Sequence, residues 1–209
     1  MPAELQTLIV ALASYALGSI SFAVLVSRAM GLPDPRSYGS KNPGATNVLR
    51  SGSKLAAALT LVGDTGKGAL AVGLTALFAG ESPVAGYDAP IAGAMALLGH
   101  LYPAFHGFKG GKGVATAAGV LLALNPWLGL GALATFAILI AFFRIVSLAS
   151  IVAAAFAVYW SWFLFGLAPV TPAVGAIALL VIWRHRENLL RLASGTEPRL
   201  GAKKPAAPS

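Results

Sequence analysis

Long apolar runs fill most of the 209-residue chain, and they limit its fold more than any other feature of the sequence. A membrane-spanning helix needs about 20 apolar residues, because the hydrocarbon core is about 30 Å thick and a helix rises about 1.5 Å per residue. The run at 114–124 is too short on this measure, whereas the other runs are long enough, adequate or extendable. The seven runs cover residues 5–30, 55–80, 89–105, 114–124, 127–143, 148–167 and 170–183.

The composition supports this interpretation. Only 11% of the residues are charged, against about 25% in soluble domains, so we predict an all-α integral membrane protein. The length is that of one domain, which we place at residues 1–195. A proline-rich, charged and disordered cytoplasmic tail is predicted at 196–209. The absence of cysteine excludes disulfides, thiolate metal sites and a cysteine nucleophile.

The apolar stretch from 114 to 143 is interrupted by Asn125-Pro126 and allows two interpretations. It is either one kinked span or two helices joined by a tight turn, because proline breaks or begins a helix. With two helices, every loop lysine and arginine falls on one side of the membrane; with one kinked span, Arg144 moves opposite Lys112. Positive loops stay cytoplasmic. The charges therefore predict seven transmembrane helices, with the N-terminus outside and the C-terminus in the cytoplasm.

The cytoplasmic placement of positive loops also explains the formal net charge of +8. The basic residues lie between the apolar runs, which is typical of a topology signal and not of a nucleic-acid surface. We interpret five cations mainly as topology determinants: Arg36, Arg184, Arg191, Lys203 and Lys204.

Four polar segments fall on the predicted cytoplasmic face, and two of them combine glycine with lysine. Glycine allows positive φ and close backbone approach, so successive N–H groups can point at one anion. The second segment also leads into a helix N-terminus, where free N–H groups and the helix dipole attract negative charge. Lysine adds a point charge, so this loop predicts a phosphate site. The segments are SYGSKNPGATNVLR (37–50), HGFKGGKGVAT (106–116), RIVSLAS (144–150) and RHREN (184–188).

The glycine-lysine segment is not a nucleotide P-loop. His106 stands where that motif needs its first glycine, and Gly113 stands where it needs Ser or Thr. Glycerolipid acyltransferases of the soluble type are excluded as well, because none of the three histidines is followed by Asp five positions on. No His, Cys and Asp cluster has zinc spacing. We therefore expect no metal and no organic cofactor.

Three segments resemble the signature motifs of the bacterial membrane acyl-phosphate:glycerol-3-phosphate acyltransferases. They are GSKNPGATNVLR, GHLYPAFHGFKGGKGVAT and HREN, and the resemblance runs from about residue 10 to residue 192. It implies a seven-helix enzyme of the inner (cytoplasmic) membrane whose active site faces the cytoplasm. Such an enzyme transfers an acyl group from acyl phosphate to the 1-hydroxyl of glycerol 3-phosphate. The products are lysophosphatidic acid and inorganic phosphate.

The resemblance also implies roles for individual residues. Ser40 and the backbone of SKNPGATN would hold the acyl phosphate. Glycerol 3-phosphate would be bound by Arg50, Lys112, Ser150, His185 and Asn188. Ser147 competes with Ser150, which is slightly preferred. The predicted catalytic residues are Ser40, Arg50, Lys112, His185 and Asn188. The predicted substrate-binding residues add Asn42, Gly44, Thr46, Asn47, Lys109, Gly110, Gly111 and Ser150.

Three further residues are possible members of the site. Asp64 and Lys67 lie three residues apart within the second apolar run. Charges inside a membrane are costly and more often line a functional cavity than pair for packing alone, and Asp64 would orient a site cation. His100 either brackets the pocket or lies at the membrane interface.

The chemistry fits these residues. Acyl phosphate is an activated mixed anhydride, so the enzyme mostly needs positioning and electrostatics. No Ser-His-Asp arrangement is evident, and we expect no covalent acyl-enzyme. The hydroxyl proton goes either to the departing phosphate, as the resemblance suggests, or to His185 as a general base.

The alternative function is a membrane transporter of a small phosphorylated anion. A carrier needs a polar site near the midplane with access from both sides, whereas these polar motifs crowd one face and the chain has no internal repeat. The expected partners are acyl phosphate, glycerol 3-phosphate and the lipid bilayer. Neither nucleic acid nor an obligate protein partner is expected.

Overall fold

The computed structural model describes residues 3–75 and 86–201, which form ten α-helices with no β-strand among them. The predicted all-helical class is therefore confirmed for this part of the chain. The end of the second apolar run (76–80) and the end of the predicted tail (202–209) lie outside the described residues. The helices are α1 (Ala3–Gly18), α2 (Phe22–Ala29), α3 (Ala45–Val48), α4 (Lys54–Leu74), α5 (Asp88–Leu101), α6 (Val114–Leu124), α7 (Pro126–Phe143), α8 (Val146–Phe165), α9 (Val170–Arg184) and α10 (Arg186–Ala193).

Several of these helices suit a bilayer. Among the described residues, α4, α7 and α8 are each long and apolar enough to cross a membrane, and α1 with α2 would add a fourth span if the bent pair crosses as one. α6 and α9 are shorter apolar helices. Large apolar side chains are exposed on the outer surface, including Phe142 at 80% and Leu179 at 70%, as lipid-facing positions require. The count of seven spans stays a prediction.

The first apolar run is not one straight helix. It breaks at residues 19–21 into α1 and α2, which are bent by 41° relative to each other. The Lys67 ammonium of α4 donates a hydrogen bond of 2.6 Å to the Ile20 carbonyl inside the break. Backbone groups freed within a membrane need new partners, so a cation from another helix stabilises this break.

The stretch from 114 to 143 forms two helices. Asn125 is extended, and its side chain accepts hydrogen bonds from the N–H groups of Trp127 (2.9 Å) and Leu128 (3.2 Å) at the start of α7. Gly129 packs against Leu122, where a Cβ at position 129 would come within 2.6 Å of the Leu122 Cα. α7 therefore folds back on α6, and the interpretation as one kinked helix is wrong.

Glycines let α5 and α6 pack backbone to backbone against their neighbours. A Cβ at Gly68 or Gly119 would overlap a carbonyl oxygen of the facing helix in the α4–α6 pair, and a Cβ at Gly99 would do so in the α1–α5 pair. Small residues of this kind allow close approach of helices in a membrane. The loop between α5 and α6, which carries the second polar segment, is therefore anchored at both ends.

The chain turns at His185 between α9 and α10 and then returns to the start of α8. The Leu200 N–H donates a hydrogen bond of 2.7 Å to the Arg144 carbonyl. Glu197 accepts a hydrogen bond from Ser147 at 2.7 Å. Residues 196–201, which the sequence places in a disordered tail, thus contact the helices.

Candidate active site

The four polar segments meet at one end of the helices. Gly111 of the second segment lies against the first, because a Cβ at this glycine would come within 2.9 Å of the Pro43 carbonyl oxygen. The Lys112 ammonium donates a hydrogen bond to the Asn188 side-chain oxygen, which joins the second segment to the fourth. Ser147 of the third segment is joined to Asn188 through one carboxylate, described below. The segments therefore surround a common region.

Asn47 organises the first segment. Its side chain is 2% exposed, and its amide nitrogen donates to the carbonyls of Pro35 (2.6 Å) and Tyr38 (3.1 Å). Its oxygen accepts from the Ser40 N–H (3.0 Å) and the Arg50 guanidinium (3.4 Å). Because two donated and two accepted hydrogen bonds fill the capacity of its amide within the loop, Asn47 shapes the site and is not arranged as a free ligand.

The other predicted ligands of the first segment lie nearer to solvent. Ser40, Thr46 and Arg50 are exposed, whereas Asn42 and Gly44 are half-buried. Gly44 immediately precedes the short helix α3, and no side chain caps that helix. The segment thus presents a hydroxyl and a guanidinium at the surface of the site.

Arg184 fixes the glycine loop of the second segment. Its guanidinium donates to the carbonyls of Gly110 (3.0 Å) and Gly111 (3.1 Å) and lies 5.5 Å from the centre of the Tyr102 ring. Gly110 and Gly111 are buried, whereas the neighbouring Lys109 is exposed. The sequence identifies Arg184 only as a topology determinant, since the pattern does not show which carbonyls a loop cation meets.

Lys112 is the most enclosed of the loop cations predicted to bind substrate. It is half-buried, and desolvation lowers the pKa of its ammonium from the usual value. Gly113 follows in a left-handed conformation (φ 79°) and precedes α6 without a side-chain cap. The ammonium and the first N–H groups of α6 are therefore both close to the loop, as an anion site requires.

Glu197 links the third and fourth segments, and the sequence analysis did not identify it. Its carboxylate accepts hydrogen bonds from Asn188 (2.5 Å), Ser147 (2.7 Å) and Arg191 (2.7 Å), and its side chain is 8% exposed. Burial alone would raise the pKa of Glu197, but these donors outweigh it and the pKa is lowered. A lone acid after a helix end, surrounded in sequence by cations, was the available signal.

The two serines of α8 have different partners. The Ser147 hydroxyl donates to Glu197, whereas the Ser150 hydroxyl donates to the Val146 carbonyl of its own helix at 2.8 Å. Both serines are buried. Ser147 is therefore the serine that is connected to Asn188, through their shared acceptor Glu197.

His185 is held in a neutral, defined tautomer. Its side chain is 3% exposed, and its Nδ1 lies 2.7 Å from the Val181 carbonyl, which can only accept. Nδ1 therefore carries the proton and Nε2 carries the lone pair. Desolvation lowers the pKa of His185 to about 4, so the ring is uncharged at neutral pH and can accept a hydrogen bond through Nε2.

The three possible members lie beneath the glycine loop. Asp64 pairs with Lys67 at 2.9 Å and lies 3.6 Å from His100 Nδ1, and Lys67 also contacts the break between α1 and α2. The cation that Asp64 orients is thus Lys67 in the interior, and not a cation of the loops.

The assembled segments have the composition of an anion-binding site. Lys112 and Asn188 provide an enclosed cation and amide, and the exposed Arg50 provides a second cation with a planar fork of donors. Within residues 3–75 and 86–201, no group of three His, Cys, Asp or Glu residues could hold a metal ion. The arrangement can bind and orient anions, and it offers an uncharged imidazole acceptor.

A model of the glycerol-3-phosphate acyltransferases matches residues 8–195. The chain belongs to this acyltransferase family. A glycerol-3-phosphate acyltransferase of Ralstonia nicotianae is 55% identical over 204 residues, covering 98% of this chain and 99% of the relative. One of Burkholderia pseudomallei (strain K96243) is 58% identical over 204 residues, covering 96% of this chain and 98% of the relative.

Two crystal structures share the fold of this acyltransferase. Both are of PlsY (YgiH), described as an integral membrane glycerol 3-phosphate acyltransferase. The glycerol 3-phosphate form has a TM-score of 0.87 and 37% identity, and covers 94% of this chain and 96% of its own. The lysophosphatidic acid form has a TM-score of 0.85 and 36% identity, with the same coverage. The acyltransferase is therefore a helical integral membrane protein.

Proposed function

We propose that this acyltransferase moves an acyl group from acyl phosphate to the 1-hydroxyl of glycerol 3-phosphate. The products are lysophosphatidic acid and inorganic phosphate, the first step of phospholipid synthesis. One observation carries the proposal: the glycine loop with Lys112 adjoins the Pro43 region on one side and Asn188 on the other. Two neighbouring anions would repel each other, and the Lys112 charge together with Arg50 of the adjoining first segment would offset that repulsion.

In the reaction, the 1-hydroxyl oxygen attacks the carbonyl carbon of acyl phosphate. The bond from that carbon to the phosphate oxygen breaks, and phosphate leaves with the electron pair. Lys112, Arg50 and backbone N–H groups stabilise the charge on both phosphates. Ser40 contacts the acyl phosphate. Asn188 holds glycerol 3-phosphate with the help of Lys112.

No covalent acyl-enzyme is needed in this scheme. Thr116, His100 and Asp64 superficially resemble a nucleophile, a base and an orienting acid, but Thr116 and Asp64 both approach Nδ1 of the ring. A relay needs one ring nitrogen for each partner, so this trio cannot activate the hydroxyl. His185 meets a carbonyl and not a carboxylate. These contacts support direct transfer.

The departing phosphate is the proton acceptor in this proposal. A histidine with a pKa of about 4 is a weak base at neutral pH, where a catalytic base is best matched to the working pH. His185 instead orients the 1-hydroxyl by accepting its hydrogen bond. His185→Ala should then keep a kcat within about tenfold of the wild type and raise KM for glycerol 3-phosphate. A loss of kcat beyond about 1,000-fold at unchanged KM would make His185 the base.

The function is tested with purified protein in detergent, supplied with acyl phosphate and glycerol 3-phosphate. Release of phosphate that requires both substrates supports the enzyme, and it also shows that no protein partner is obligatory. A transporter has no compartments to connect in detergent, so it would give no turnover there. It would instead give flux of a phosphorylated anion in liposomes.

We also propose seven transmembrane helices in the inner membrane, with the N-terminus outside and the active site facing the cytoplasm. The lack of cysteine makes single-cysteine labelling clean. Leu167, which is 86% exposed between α8 and α9, should react with an impermeant maleimide in intact spheroplasts when changed to Cys. Arg199→Cys should react only after permeabilisation. The reverse pattern would invert the topology.

A further inference from the structure

A buried polar cluster lies directly beneath the glycine loop, and the reaction described above does not use it. Its members come from three helices and are almost inaccessible: the residues are 2% exposed for Asp64, 3% for Lys67, 7% for His100 and 0% for Thr116. Burying polar groups in a membrane protein is costly unless they have partners. A cluster of this kind therefore calls for a structural or functional reason.

Thr116 and Asp64 approach the same ring nitrogen of His100, and Lys67 joins them through Asp64. His100 Nδ1 lies 3.2 Å from the Thr116 hydroxyl and 3.6 Å from an Asp64 carboxylate oxygen. The same carboxylate oxygen lies 2.9 Å from the Lys67 ammonium. Because Thr116 and Asp64 both face Nδ1, they fix which way the imidazole ring is turned.

The other edge of the ring faces the loop. A Cβ at Gly111 would overlap His100 Nε2, so the ring and this glycine are in direct contact. The His100 carbonyl also accepts a hydrogen bond of 3.2 Å from the Gly111 N–H. His100 thus contacts the loop through its side chain and its backbone, one residue before Lys112.

We propose that His100, oriented by Thr116 and Asp64, is a positioning residue. It supports the glycine loop at Gly111 and so fixes the position of Lys112. The inference rests on the acyl-transfer function proposed above for its catalytic readout. His100 acts through Gly111 and does not contact the reacting atoms. Outer partners of this kind commonly fix the orientation of the groups that touch a ligand, and a displacement of about 1 Å can cost roughly 100-fold in rate.

The sharpest test is a matched pair at Thr116. Thr116→Val keeps the shape of the side chain and removes the hydroxyl, whereas Thr116→Ser keeps the hydroxyl. We expect Thr116→Val to lower kcat roughly tenfold and Thr116→Ser to stay within about twofold of the wild type. Equal activities for the two variants would overturn the role of this hydrogen bond.

A second test separates positioning from general stability. If His100 acts through Lys112, then His100→Ala should lower kcat roughly tenfold or more in the wild type, but by less than about threefold when added to Lys112→Ala. Equal losses in both backgrounds would mean that His100 acts elsewhere, and the proposal would fail.

Hydrogen exchange gives a readout that does not depend on turnover. The amides of residues 107–113 should exchange at least threefold faster in Thr116→Val than in Thr116→Ser, at equal melting temperature. If the wild type released no phosphate, the acyltransferase proposal would fail while this measurement still tested the network. If exchange were the same in both variants of an active enzyme, only the positioning role would be lost.

Discussion

The first segment and the glycine loop form two halves of the candidate site that are built in opposite ways. The first segment exposes its hydroxyl and guanidinium groups, and its loop is shaped mostly by the buried side chain of Asn47. In the glycine loop, Gly110 and Gly111 are buried, Arg184 clamps their carbonyls, and the loop rests on His100. We infer that the glycine loop holds its charge at a fixed place, whereas the more exposed first segment can adjust to its ligand.

The largest effect is expected in the glycine loop (residues 107–113), which we call the fixed half of the site. Lys112→Ala should lower kcat/KM by about 100- to 1,000-fold, because removal of one preorganised charge at a developing anion has that cost. Lys54→Ala, an exposed lysine at the start of α4, is the matched control and should leave the rate nearly unchanged. Normal turnover by a folded Lys112→Ala protein would remove the basis of the site.

The first segment (residues 37–50), which we call the adaptable half of the site, should lose affinity for its ligand when Asn47 is removed. Asn47→Ala removes four hydrogen bonds of the first loop, and we expect KM for acyl phosphate to rise roughly tenfold with a smaller change for glycerol 3-phosphate. Initial rates at varied concentrations of each substrate give both constants. If the two KM values rose equally, the division of the site into two halves would be wrong.

Glu197 tests whether the fixed half extends into the C-terminal residues. Glu197→Ala leaves Ser147, Asn188 and Arg191 without their shared acceptor, which should destabilise the protein by about 1–3 kcal/mol. Glu197→Gln keeps one acceptor oxygen and should lose less. Unfolding in detergent compares the two variants, and an unchanged melting temperature for Glu197→Ala would show that these residues do not support the site.

Acid should loosen the fixed half through His185. Its pKa is about 4 in the folded protein and about 6.5 when unfolded. The unfolded chain therefore binds the proton first, and stability present above pH 6.5 is lost as the pH falls toward 4. Between pH 7 and pH 5 the loss is about 2 kcal/mol. His185→Gln cannot titrate and should lose clearly less over this range, whereas equal losses would place His185 in contact with water.

The smallest effect concerns backbone strain in the adaptable half. Lys41 has a φ of 54°, a left-handed conformation that favours glycine. Lys41→Gly should be more stable than Lys41→Ala by about 0.5–1 kcal/mol, because both variants lose the charge and only the alanine keeps the strain. The reverse order in denaturation would show that this loop is not held as described.

The sequence was sufficient for the features that are written locally. The apolar runs, the break at Asn125-Pro126, the glycine-lysine motif and the charge pattern each depend on neighbouring residues, and they predicted the helical class and the four segments that meet. The partner of a long-range contact cannot be identified from the neighbouring residues. Glu197, the clamp at Arg184 and the choice between Ser147 and Ser150 all depend on how distant helices pack.

The contact between Lys67 and Ile20 has a consequence for biogenesis. The break in the first hydrophobic segment is completed by a side chain made 47 residues later. During synthesis the nascent segment therefore leaves the ribosome with a bare carbonyl that lipid cannot satisfy. We expect α1 and α2 to remain beside the insertion machinery until α4, which carries Lys67, has been synthesised. The two segments would then be inserted into the bilayer together.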